Sequence, residues 1–128
     1  RFTNSTQIPM GVGVADQTGN IVLSDPTHIT LQPGVYSVFY DVSALLPSAT
    51  YMQITPFYNN TAHIEYGIYF RTGAANISAF GSVAFIFEAP SQTDFSLTYN
   101  SPVTATEGTL TMVVFKLRNS EADSETRF

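Results

Sequence analysis

Between Leu31 and Leu46 the chain reads LQPGVYSVFYDVSALL. Taken with a period of two, one side carries Tyr36, Val38, Tyr40, Val42 and Ala44, and the other Ser37, Phe39, Asp41, Ser43 and Leu45. This alternation predicts a strand with one face on a core and the other toward solvent. Phe39 interrupts the polar side and needs something to cover it.

Helical periodicity is nearly absent elsewhere, and period two recurs. TDFSLTYN sets Phe95, Leu97 and Tyr99 against Ser96, Thr98 and Asn100. AFGSVAFIFEA sets Val83, Phe85 and Phe87 against Ser82, Ala84, Ile86 and Glu88. In ATYMQITPFYNN, Met52 and Ile54 oppose Tyr51, Gln53 and Thr55, and Pro56 predicts an edge or a bulge because it lacks an N–H. HIEYGIYF reads as a strand with Ile64, Tyr66, Ile68 and Phe70 on one side and His63, Glu65, Gly67, Tyr69 and Arg71 on the other. Met10, Val12 and Val14 alternate with Gly11 and Gly13, which would allow close packing in a strand. ADQTGN, SDPTH, QPG, NNT and RTGAAN are the turns between. The last run, TLTMVVFKLR, is apolar on both sides: Leu110, Met112 and Val114 against Val113, Phe115 and Leu117.

The pattern predicts an all-β protein, an antiparallel sandwich or jelly roll of about eight strands or more. It fills residues 1–118, and 119–128 (NSEADSETRF) are expected to be a disordered polar tail. The expected core holds Tyr36, Val38, Tyr40, Val42, Phe85, Phe87, Phe95 and Leu97. In a two-layer sandwich only one face of each sheet is internal. Phe39, Ala84, Ile86, Val113, Phe115 and Leu117 fall on second faces, so a neighbour outside the protomer is required. A symmetric homo-oligomer is the simplest source of one.

Composition strengthens that expectation. Of 128 residues only 12% are charged, against about 25% in an average soluble domain. The net charge is −5 and the basic residues number five, which provides no basic stripe for nucleic acid or for an anionic membrane. No apolar run approaches the roughly 18 residues of a membrane span, so no membrane insertion is expected. Without cysteine there are no disulfides, thiolate metal sites or Cys nucleophile. The chain opens at Arg1 with neither an initiating Met nor a signal-peptide pattern, and reads as a processed piece of something longer.

Candidate chemistry is sparse. His63 and Glu65 share one side of their expected strand, but a metal site needs three or more protein ligands. Asp25 and His28 in SDPTH lack a G-x-S-x-G elbow and fit turn chemistry. Glu65 and Glu88 as a glycosidase pair would have no Trp to stack a sugar. Asp16 and Asn20 in DQTGN lack the carboxylate density of a calcium loop. The sequons at Asn4, Asn59 and Asn76 read as turn residues. No catalytic, cofactor or metal residue is assigned, and the protein is not expected to be an enzyme.

GVYSVFYDVS resembles the G-x-Y-x-F-x-Y strand of complement-type globular heads and the wider tumour-necrosis-factor-like jelly rolls, with Gly34, Tyr36, Val38, Tyr40 and Val42 at matching positions and Val38 in place of the usual Phe. GTLTMVVFKL matches their final strand. Within that group, IPMGVGVADQTGNIVLSDPTHITLQPGVYSVFYDVSALL, YMQITPFYNNTAHIEYGIYF and YNSPV resemble the C-terminal domains of bacterial collagen-like spore-surface glycoproteins, the BclA- and BclB-like proteins. The resemblance spans about Ile8 to Leu117. It implies a TNF-like homotrimer at the end of an upstream collagen-like stalk, exposed on the spore surface (exosporium) or otherwise extracellular, where it nucleates the collagen triple helix. The chain itself has no Gly-X-Y repeat and only 8 Gly. An alternative within the same fold is a trimeric recognition module whose loops bind a glycan or another host surface molecule.

Overall fold

The computed structural model describes residues 1–120, and ten strands run through them. They are β1 (Thr6–Gln7), β2 (Ile21–Asp25), β3 (His28–Leu31), β4 (Gly34–Leu46), β5 (Tyr51–Tyr58), β6 (Thr61–Ala62), β7 (Ile68–Arg71), β8 (Ile77–Ala89), β9 (Thr93–Asn100) and β10 (Thr106–Arg118). All pairings are antiparallel. One sheet runs β2-β3-β9-β5-β6, with β1 on β9 and β7 on β5; the other is β10-β4-β8. The all-β, antiparallel sandwich expected from the alternation is the observed architecture.

Register explains why the alternation was so regular. Tyr36 lies opposite Phe87, Val38 opposite Phe85 and Tyr40 opposite Val83, so each row of the small sheet sends its larger side chains inward together. All eight expected core residues are buried, from 0% exposure at Tyr36 to 7% at Phe85 and Phe87. From the large sheet Tyr58 and Phe95 meet them, the Tyr58 ring 3.9 Å from that of Phe87 and 5.8 Å from that of Phe95. Tyrosine serves at these positions because its hydroxyl reaches a carbonyl at the edge of the core. Tyr36 donates to Gln32 O at 2.6 Å, Tyr40 to Tyr66 O at 2.5 Å and Tyr99 to Val103 O at 2.8 Å. Burial raises the Tyr36, Tyr40 and Tyr99 hydroxyls above their ordinary value and pushes Tyr58 up to about 12.

Three local expectations are corrected. Met10–Val14 forms no strand: Val12 and Val14 are exposed, and Gly11 and Gly13 have nothing near them to pack against. Pro56 lies inside the large sheet rather than at an edge or bulge, opposite Leu97 of β9. On its other side β7 pairs only as far as Ile54 and the pairing with β6 starts at Phe57, so the missing N–H falls in a gap of the ladder. The segment expected as one strand from His63 divides into a 3-10 turn, Ile64–Tyr66, followed by β7. Gly67 joins the two because a Cβ there would sit 2.6 Å from the Ile54 carbonyl oxygen.

At the C-terminus, Ser120 is buried and its hydroxyl donates to Glu88 Oε2 at 2.7 Å. The remainder of the expected tail, residues 121–128, lies outside the described residues.

Candidate self-association face

The six residues singled out for their second-face position all lie on the outer side of the three-stranded sheet. Register brings them into rows. Val113, Phe39 and Ala84 are successive neighbours across β10, β4 and β8. The next row is Phe115, Ser37 and Ile86. Leu117 follows on the same side of β10, where the register slips between Lys116 and Arg118. Each is exposed in the protomer, Phe39 at 41%, Ile86 at 58% and Phe115 at 62%.

Sequence reasoning missed Phe80. It shares the parity of Ala84 and Ile86, pairs with Ser43 and is 60% exposed, with its ring 5.0 Å from Phe70. Parity along β8 was the available signal. Single exposed aromatics are ordinary, whereas a contiguous apolar surface on rigid strands marks a contact site. The face has a polar border: Asp41 stands between Thr111 and Ser82 in the row beside Phe39.

The groups weighed for chemistry are tied up in local structure. Asp16 accepts from the Thr18 hydroxyl and from the backbone N–H groups of Thr18, Asn20 and Ile21, which holds its carboxyl below the ordinary value, the Thr18 side chain contributing most. Gly19, at φ +78°, supplies the left-handed residue of that turn. Asp25 accepts from the Thr27 N–H at 2.9 Å and faces His28 Nδ1 at 2.9 Å; both lower its pKa, the Thr27 N–H most. His63 lies flat on Tyr58, ring centroids 3.7 Å apart, donates from Nε2 to the Tyr58 carbonyl and sets Nδ1 3.0 Å from Glu65 Oε2. That contact lowers the Glu65 carboxyl. Among the described residues no group of three or more His, Cys, Asp or Glu is placed to hold a metal, and no helix is long and apolar enough to cross a membrane.

The sequons are turn residues as read: Asn59 and Asn76 have φ of 51° and 59°, and Asn4 Oδ1 accepts from the Ser101 N–H.

No family model matches the chain, and no curated protein matches it. Among solved structures the chain is similar to the globular domain of zebrafish complement 1qA protein, with a TM-score of 0.61 and 9% identity over 93% of this chain and 94% of that one. At that identity the likeness is one of fold, and the fold is the TNF-like jelly roll.

Proposed function

We propose that this chain is the non-enzymatic trimerisation head of a collagen-like filament protein at a bacterial spore surface (exosporium) or another extracellular site. The observation that carries the proposal is the aligned apolar face of β10, β4 and β8, with Phe39, Phe115 and Ile86 at its centre. Two further facts support it. The fold is that of a complement globular domain, which agrees with the complement-type part of the sequence resemblance. Of the groups weighed for chemistry, Asp16, Asp25, His28, His63 and Glu65 are engaged in local turns.

The mechanism is assembly. Three protomers bury these faces around a three-fold axis, each Å² of apolar surface contributing about 25 cal/mol before association costs are subtracted. Chains attached at the three N-termini are then held at high effective concentration, which favours winding of an upstream Gly-X-Y stalk. Solution mass by light scattering after size exclusion tests the proposal. The expected mass is three times the 14.0 kDa protomer. A stable monomer across the accessible concentration range overturns it.

A further inference from the structure

The opposite outer face, that of the seven-stranded sheet, has different chemistry. Along β9 the side chains of outward parity are Asp94, Ser96, Thr98 and Asn100, of which Asp94 is exposed, Thr98 and Asn100 are half-buried and Ser96 is buried. Register sets Phe57 of β5 beside Ser96, Gln53 beside Asn100, and Gln7 of β1 beside Thr98. Two shallow depressions of about 400 and 410 Å³ open there, and Phe57 and Thr98 line both. Phe57 is 41% exposed and stands between the polar field of the first depression and the second depression, where Ala62 and Ile64, the latter 68% exposed, add apolar surface.

The field is built by the fold. Asn59 and Asn60 have φ of 51° and 60°, the two left-handed residues of a tight hairpin between β5 and β6. The turn is pinned by Asn59, whose N–H donates to Thr93 Oγ1 and whose Nδ2 donates to Glu88 O. Asn60 lines the first depression together with Gln92 and Gln7. Asp94 is steadied by the Thr30 hydroxyl, which donates to Oδ1 at 2.9 Å.

We propose that this face binds a neutral oligosaccharide, with Phe57 as the platform between two sugar subsites. A pyranose ring offers an apolar C–H face for an aromatic ring and a rim of hydroxyls that both donate and accept. The side-chain amides of Gln7, Asn60, Gln92 and Gln53 provide both functions, and Asp94 accepts. Neither depression is lined by Lys or Arg, and the chain's net charge is −5, so phosphorylated, sulfated or sialylated ligands are disfavoured. Two adjoining open depressions fit an extended chain lying across the strands better than a small enclosed ligand. The site does not depend on the assembly proposed above, and it is on the other outer face of the sandwich, so self-association through Phe39 leaves it open.

The test is a two-dimensional amide NMR titration of the whole chain with neutral disaccharides of glucose, galactose, mannose, N-acetylglucosamine and xylose. The expected result is binding with Kd on the order of 1 mM by at least one of them. Shifts are confined to residues 53–62 and 92–100 together with Gln7 and His28. Phe57→Ala weakens that binding at least ~10-fold. Thr98→Arg, which fills ground common to both depressions and removes no core residue, abolishes it and serves if Phe57→Ala does not fold. Silence across the panel, shifts mapping to the Phe39 face, or wild-type affinity in Thr98→Arg each overturns the proposal.

Discussion

Val113 and Phe39 stand side by side on the outside of the three-stranded sheet, directly paired across β10 and β4 and exposed to 40% and 41%. Phe39 is in turn paired with Ala84, so its ring occupies the middle of a three-strand row. Replacing it with a carboxylate removes apolar surface and places a charge where three faces would meet, yet alters nothing inside the sandwich. Phe39→Asp is expected to elute at the 14.0 kDa protomer mass with an unchanged far-ultraviolet circular dichroism spectrum. A trimer mass for this variant would place the interface elsewhere on the molecule.

The same residue type has opposite consequences on the two faces. Phe85 is 7% exposed and stacks on Tyr66 at 4.4 Å, whereas Phe115 is 62% exposed. In a Phe39→Asp background, expected to be monomeric so that folding is read without association, Phe85→Ala is expected to cost about 3–5 kcal/mol through lost burial and a residual cavity. Phe115→Ala in that background should change stability by no more than ~0.5 kcal/mol, but should weaken association when Phe39 is intact. Urea unfolding of the two double variants, with light scattering of the Phe115 single variant, checks both halves.

The strands whose two faces differ were legible in the sequence. Gly34–Leu46 and Thr93–Asn100 alternate because one side packs into the core and the other lies on an outer face, and their core residues are where the alternation put them. The outer apolar face was legible too, because Phe39, Ile86 and Phe115 break a polar parity; only the pairing register shows that they adjoin. The segment from His63 was not. Over three residues a 3-10 turn and a strand both leave Tyr66 on the core side, and period two cannot separate them. Ile64, expected on that same side, is instead 68% exposed. The polar groove around Phe57 was also hidden, because it is assembled from β1, β5, β9 and the turn at Asn60, which are distant in sequence.

Gly67 provides a test of that local geometry. An added Cβ would lie 2.6 Å from the Ile54 carbonyl oxygen and 3.2 Å from that of Ile64, and both obstacles are backbone. Gly67→Ala must therefore displace the 3-10 turn from β5, at a cost of roughly 1–3 kcal/mol. The thermal midpoint should fall by roughly 3–10 °C. Gly73→Ala, at a site with nothing within 4 Å, should unfold close to the parent. Equal midpoints for the two variants would contradict the close approach.

Stability should fall at both ends of the pH scale, for opposite reasons. Asp16, Asp25 and Glu65 have carboxyls below their ordinary values of 3.8, 3.8 and 4.5, chiefly through hydrogen bonds from Thr18, Thr27 and His63. Their contribution is complete above the ordinary carboxylate range. It is lost as pH falls through the lower folded values, because the unfolded chain takes up protons first. All three groups are exposed, so the acid loss is gradual and Asp16→Asn should flatten part of it. Tyr58 is the reverse case: burial pushes its hydroxyl from 10.0 up to about 12. The unfolded chain therefore releases this proton first, and stability present below pH 10.0 declines as pH rises toward 12. Urea midpoints measured across pH should trace a plateau bounded by these two limbs. Phenolate absorbance followed during alkaline titration should show some tyrosines ionising only together with unfolding. If every tyrosine ionised before any loss of folded signal, the buried placement of Tyr58 and Tyr40 would be wrong.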